Sequence, residues 1–176
     1  MNKILKKRTL APRVVEYVVD APKVAKHAHP GQFIILRVDE EGERIPFTIC
    51  DYDRENGTVT ILVQEVGYST AKLALVPEGG CIADFVGPLG KPTDLSEYKN
   101  IVLVGGGIGS AVIYPQAKHL AAIGNPATVI VGARNKELIM YEDEFARAAK
   151  ELRIATDDGS YGVKGFVTDV LKGILD

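Results

Sequence analysis

Hydrophobic residues follow two different rhythms along this chain. Up to about residue 95 they fall in short, β-branched runs closed by turn residues. The run Arg13 to Asp20 carries four valines and stops at Ala21-Pro22, and Pro30-Gly31 turns into the apolar stretch Gln32 to Val38. Asn56-Gly57 is a hairpin signal. It leads into Thr58 to Val66, where Val59, Ile61, Val63 and Glu65 alternate with Thr60, Leu62 and Gln64, as in a strand with at least one buried face. One helix-like interruption, Ser69 to Leu75, follows Gly67. Short strands between Gly and Pro turns predict a small antiparallel barrel.

After Tyr98 the rhythm lengthens. Ile101 to Val104 is a continuous apolar run, as in a parallel strand covered on both faces. It enters Gly105-Gly106-Gly107-Ile108-Gly109 and a helical stretch reaching about Ile123, stopped by Gly124-Asn125-Pro126. Thr128 to Val131 and Leu152 to Thr156 read as two further buried strands. Tyr141 to Phe145 opens a second helix with an acidic first turn that suits the helix dipole. Phe166, Val167, Val170, Leu171 and Ile174 mark the apolar face of a last helix. Three strand–helix pairs in succession predict a parallel sheet with right-handed crossovers. The linker is Gly87 to Pro92, so the expected division is a barrel domain over residues 1–95 and an α/β domain over residues 96–176.

A buried strand that runs through glycines into a helix presents free backbone amides to an anion. The frame Gly105 to Ser110 fits the dinucleotide fingerprint G-x-G-x-x-G/A with Ser in the last place. The bland reading is a tightly packed turn; its place between buried strand and helix favours phosphate. The acidic residue that usually ends the second strand is absent, since Gly132-Ala133-Arg134 stands there. Either Arg134 meets the 2′-phosphate of NADP, or the ribose is held elsewhere. Thr156 to Gly162 contains Asp157 and Asp158, which suit ribose hydroxyls or, equally, an acidic turn before the next helix.

Composition narrows the classes of function. The chain has 176 residues, 21 Lys+Arg against 23 Asp+Glu, and a formal net charge of −2, which lacks the basic footprint of a nucleic-acid binder. Lys3, Lys6, Lys7 and Arg8 interleave with Ile4 and Leu5 as in a half-solvated strand, not as a polybasic membrane anchor. The longest uncharged stretch, Ile101 to Gln116, is interrupted by glycines and reads as no transmembrane helix. Two cysteines, Cys50 and Cys81, are too few for an iron–sulfur or zinc site and suit a reducing, cytoplasmic compartment. Cys50 reads as a small packed residue near Thr48, Cys81 as a structural one. His27 and His29 read as a solvated turn, and His119 as a partly exposed helix residue.

Taken in order, Pro30 to Phe33, Arg44 to Thr48, Gly67 to Thr70, Gly87 to Gly90 and the glycine loop resemble the ferredoxin–NADP reductase superfamily. Within it the chain is most similar to the small subunits of NADH-dependent ferredoxin:NADP oxidoreductase, also called sulfide dehydrogenase subunit β. Electron-transfer subunits of dihydroorotate dehydrogenase are close relatives. The most specific strings are Glu43 to Thr48, Val63 to Gly67 and Thr156 to Gly162. The resemblance implies an antiparallel six-stranded-type β-barrel that binds FAD, then a partial Rossmann-like parallel α/β domain that binds NAD(H), with NADP(H) as the alternative. Pro46, Phe47 and Thr48 would lie along the isoalloxazine, with Thr48 as the catalytic hydrogen-bond partner of flavin N5. Gly67, Ser69 and Thr70, with Gln64 nearby and Arg44 as the cation, would hold the FAD pyrophosphate in a cleft between the domains. Gly105, Gly106, Gly107 and Gly109 would hold the dinucleotide pyrophosphate, and Asp157, Asp158 and Gly159 its ribose.

The chain departs from the family pattern at three points. Ile45 stands where the superfamily places its pyrophosphate arginine, with Arg44 one residue earlier. Val112 stands where a proline usually follows the glycine loop, which is expected to alter how the helix begins, and Pro115 is expected to kink it. Relatives continue into a strand bearing Cys-Gly-Pro and the ligands of a 2Fe-2S cluster, whereas this sequence stops at Asp176. The function implied is hydride exchange between NAD(P)H and flavin N5, with electrons relayed to a larger flavin/iron–sulfur subunit or to ferredoxin. The alternatives are the electron-transfer subunit of dihydroorotate dehydrogenase and a non-catalytic FAD- or dinucleotide-binding module.

Overall fold

The structure is a computed structural model that describes residues 2–175. Its internal contacts divide the chain into two compact units, with the boundary between Thr93 and Asp94.

The first unit is antiparallel. Strand β1 (Asn2–Ala11) turns at Arg13 into β2 (Val14–Asp20), and β2 pairs with β6 (Thr58–Gln64). The hairpin at Asn56-Gly57 joins β6 to β5 (Asp51–Asp53). A second sheet has β3 (Phe33–Arg37) between β4 (Ile45–Thr48) and β8 (Asp84–Leu89), while β7 (Cys81–Ile82) returns to pair with β1. Only Ile49 and Cys50 separate β4 from β5. Their amides donate to Gln32 O at 3.0 Å and Thr60 O at 2.9 Å, so one bent strand passes from sheet to sheet. Ala83 does the same between β7 and β8, donating to Val38 O at 3.2 Å. The pairings therefore close a ring of six strands, β1, β2, β6, β5/β4, β3 and β8/β7, the barrel expected from the sequence. Ile4, Tyr17, Val19, Ile34, Leu36, Ile49, Ile61 and Ile82 fill its interior. Burial of side chains of this size is worth roughly 1.5–3 kcal/mol each, which outweighs the weak intrinsic preference of any one strand.

Two helices belong to this unit. Helix α1 (Pro22–His27) begins at the proline where the sequence pattern ends a strand; proline at the first helical position has no amide to waste. His27 ends this helix, exposed, where the sequence suggested only a turn. Helix α2 (Tyr68–Leu75) buries Leu73 in the barrel core. Its C-terminal carbonyls are met by a cation from the first strand: Lys7 Nζ donates to Ala74 O and, at 3.1 Å, to Val76 O.

The second unit is parallel, in the order β12-β11-β10-β9. Strands β9 (Val102–Gly106), β10 (Thr128–Ala133) and β11 (Glu151–Thr156) alternate with α3 (Gly109–Ala122), α4 (Glu142–Ala148) and α5 (Val167–Leu175). Strand β12 (Val163–Lys164) is a two-residue addition beside β11, too short to leave a hydrophobic period. Val170 is buried on Ile130 and Ala155, with Val167, Leu171 and Ile174 packed around them. Phe166 does not join that face. It precedes the helix, 62% exposed, and its amide donates to Asp169 Oδ2 at 2.8 Å. Helix α3 starts at Gly109, carries Val112 in its first turn, and runs on through Pro115.

Candidate functional site

Parallel strands end on one edge of their sheet, so the loops leaving β9, β10 and β11 converge there. The four glycines after the apolar run of β9 do different things. Gly105 is needed for packing, because a β-carbon would stand 2.8 Å from Ser110 Cα and 3.0 Å from Ile113 Cδ1. Gly107 holds a left-handed φ of +55° and ties the loop to the next strand, its amide donating to Gly132 O at 2.8 Å. Gly106 and Gly109 have neither need. A β-carbon on either would meet nothing within 4 Å. Ser110 and Ala111 turn their amides back to the carbonyls of Gly107 and Ile108, and the start of α3 leaves the Gly109 amide without an intrahelical acceptor.

The end of β11 is stitched to the end of β10. Asp157 and Asp158 donate their amides to Ala133 O at 3.1 Å and Arg134 O at 3.2 Å. Thr156, fully buried, folds the loop with one hydroxyl, which donates to Tyr161 O at 2.6 Å and accepts from Tyr161 N at 3.0 Å. The two acids then part company. Asp158 Oδ1 accepts from Ser160 N at 2.8 Å, and hydrogen bonds from the Ser160 side chain and amide hold its carboxyl below the ordinary carboxylate range. The Asp157 carboxylate and the exposed Arg134 guanidinium make no side-chain hydrogen bond or ion pair among the described residues. Ser160 Oγ accepts from Lys136 N at 2.9 Å, and the Tyr161 hydroxyl donates to Glu142 at 2.5 Å, so the loop is anchored on both sides. Beside Arg134, Asn135 Oδ1 is buried without a hydrogen-bond partner among the described residues.

In the barrel unit, β4 presents Pro46, Phe47 and Thr48. Phe47 packs on the core, so strand alternation turns Pro46 and Thr48 outward. The Thr48 hydroxyl has no partner among the described residues. Gln64 ends β6, and the chain turns at Gly67 into α2. Gly67 is extended, with φ −158°, and a β-carbon there would again meet nothing within 4 Å. Thr70 Oγ1 accepts from the amides of Val66 and Gly67, both at 3.0 Å, and donates to Gly67 O at 2.9 Å. A hydroxyl has one proton and two lone pairs, so Thr70 is fully committed to holding the turn. Ser69 Oγ donates to Glu43 Oε2 at 2.9 Å, which brings the segment before β4 to the first turn of α2. Arg44, largely exposed, approaches Asp84 at 3.4 Å, while Arg37 holds the same carboxylate at 2.6 Å. Two residues beside Gly67 escape the sequence pattern: Val66 and Tyr68 are 74% and 81% exposed. Their only signal is an apolar residue on each side of a glycine.

Compared with known proteins, the chain matches no family model. It is 44% identical over 171 residues to the dihydroorotate dehydrogenase B (NAD(+)) electron transfer subunit homolog of Thermotoga maritima, covering 97% of this chain and 60% of that protein. Against the dihydroorotate dehydrogenase B (NAD(+)) electron transfer subunit of Geobacillus thermodenitrificans the identity is 38% over 175 residues, with 96% and 67% covered. A solved structure of NADH-dependent reduced ferredoxin-NADP oxidoreductase, described for flavin-based electron bifurcation, superposes with a TM-score of 0.93 at 43% identity, covering 99% of this chain and 63% of that one. The chain belongs to the ferredoxin reductase-like family of electron-transfer subunits. It spans about three fifths of the length of the first relatives it matches.

Membership of this family accounts for the succession of a barrel and a parallel sheet. It leaves the other reactive groups to be placed. Among the described residues there is no group of three or more His, Cys, Asp and Glu that could hold a metal, and no helix is long and apolar enough to cross a membrane. Cys50 is buried at the bend between β4 and β5, and burial pushes its thiol up to about 12. Cys81, read from the sequence as structural, begins β7 and is exposed. A thiol reagent at pH 8 is therefore expected to label Cys81 alone in the native protein and both cysteines in denaturant, read by mass spectrometry.

Proposed function

We propose that the barrel unit carries FAD, that the parallel unit receives NAD(H), and that the chain passes electrons to a larger partner subunit. The observation that supports this best is the behaviour of Gly67, Gly106 and Gly109. None has a left-handed φ and none is crowded, so within the chain itself their lack of a side chain serves no purpose. Phosphates approaching the backbone at the start of α2 and α3 would use that space. The orphaned Asn135 oxygen and the free Thr48 hydroxyl suit a polar ligand as well.

FAD, when bound, would supply the chemistry of hydride and electron transfer, with NAD(H) as the hydride donor. Thr48 offers a hydroxyl that donates or accepts as the partner atom demands, which makes it the catalytic residue of this reading. Pro46 and Phe47 shape the strand beneath it. Ser69 donates to the FAD pyrophosphate, Thr70 fixes the turn that presents Gly67, and Gln64 and Arg44 flank it. Gly106 and Gly109 admit the dinucleotide pyrophosphate, with Gly105 and Gly107 holding the loop in shape. Asp157 accepts ribose hydroxyls, while Asp158 and Gly159 shape its loop. Arg134, exposed just after β10, would favour NADP(H) were a 2′-phosphate to reach it. In this reading a 2Fe-2S cluster belongs to the partner or to longer relatives, ferredoxin is a further acceptor, and the assembly is cytoplasmic.

Apoprotein reconstituted with FAD is expected to turn yellow, with absorption near about 450 nm, and to bleach when titrated anaerobically with NADH. Protein that stays colourless overturns the FAD assignment; bound flavin that NADH neither bleaches nor protects from heat leaves a binding module without turnover. A larger subunit that copurifies and oxidises dihydroorotate would place the chain with the dihydroorotate dehydrogenase branch of its family.

A further inference from the structure

The loop from β3 to β4 is unusually acidic, with Asp39, Glu40, Glu41 and Glu43 in five residues. Two of these acids are spent on one helix. Asp39 Oδ2 meets Lys72 Nζ at 2.5 Å, and the Lys72 ammonium holds the Asp39 carboxyl below its ordinary range. Glu43 meets Ser69 at 2.9 Å. Ser69 and Lys72 are three residues apart on α2 and so lie one above the other on the same face. Gly42 donates its amide to Asp39 O at 3.1 Å, closing the turn that lets both acids reach that face.

The Ser69 contact conflicts with the proposed task of Ser69. A serine hydroxyl has a single proton to donate. If it goes to the Glu43 carboxylate, it cannot also go to a phosphate oxygen, and the carboxylate repels any anion that approaches. We propose that Glu43 is an anionic placeholder that sets the cost of entry to the α2 turn: a ligand must displace it to gain the Ser69 hydroxyl. Inorganic phosphate has no other contacts with which to offset that displacement. FAD has them, along β4. Glu43 thereby reserves the turn for an anion that arrives attached to a flavin. This inference rests on the FAD assignment above.

The test uses the full chain, with FAD affinity read from quenching of flavin fluorescence and phosphate read as a competitor. Glu43→Gln, which keeps the shape and removes the charge, is expected to tighten FAD binding about fivefold and to make inorganic phosphate a better competitor by a similar factor. In a Ser69→Ala background the same substitution is expected to tighten FAD binding by a clearly smaller factor, because only the carboxylate's repulsion of the phosphates is then left to remove. Unchanged or weaker FAD binding by Glu43→Gln overturns the placeholder role, as does a gain that persists undiminished without Ser69. Wild-type protein that binds no FAD overturns the parent assignment together with it, whereas wild-type binding with no response to Glu43→Gln removes the placeholder alone.

Discussion

Gly106→Ala is expected to leave the parallel unit at least as stable as the wild type while NADH binding weakens by about tenfold or more. A β-carbon at residue 106 meets nothing within 4 Å, and its backbone lies outside the left-handed region, so the protein itself has room for it. Gly→Ala at such a site stabilises by about 0.4–1 kcal/mol through the unfolded chain. The neighbouring change runs the other way. Gly105→Ala places its methyl 2.8 Å from Ser110 Cα, a backbone atom that moves only if α3 moves off the sheet. Overpacking of this kind costs about 1–3 kcal/mol, which for a unit of this size lowers the melting temperature by roughly 4–8 °C per kcal/mol. Thermal unfolding and NADH titration on the two variants separate them. Equal NADH affinity in Gly106→Ala and wild type would remove the ligand-based reason for that glycine.

Thr156→Val should be the most damaging single change at the end of β11. The substitution preserves volume but deletes the oxygen that serves both the amide and the carbonyl of Tyr161 at a fully buried position. Each buried polar group left unpaired costs about 1–3 kcal/mol. With that clamp gone, the loop is held to the end of β11 only by backbone bonds such as Gly159 N to Thr156 O at 3.1 Å, so dinucleotide binding is expected to fall along with stability. Thr156→Ser keeps the hydroxyl and is expected to recover most of both. Hydrogen exchange at Tyr161 is the direct measure: slow in wild type and Thr156→Ser, fast in Thr156→Val.

Much of the fold is legible in residue order alone. Alternation over Thr58 to Val66, continuous apolar runs at Val102 and Thr128, and the Asn56-Gly57 turn each carry their physical cause in local spacing. The closure of the barrel does not, because Ile49, Cys50 and Ala83 bend two strands between sheets through bonds to residues distant in sequence. Phe166 carries the same apolar signal as Val170, yet it precedes α5 and is exposed, whereas Val170 lies within the helix and is buried. At the site, residue types are legible and their commitments are not. Thr70 and Ser69 read alike in sequence, but Thr70 has no hydrogen-bonding capacity left and Ser69 has one contested proton. Asp157 and Asp158 differ in the same way: the Asp157 carboxylate has no hydrogen-bond partner among the described residues, whereas that of Asp158 is closed into its own turn. The glycine loop is uniform in sequence, and only the space around each β-carbon sorts packing from vacancy.

Lys7 reaches the carbonyl end of α2 from a strand 67 residues earlier in the chain. The first ten residues therefore cannot be trimmed or replaced by a tag at will. They carry the countercharge for the C-terminal end of α2, so under the proposed reading, in which phosphate meets the opposite end, FAD binding in the barrel depends on its very first strand.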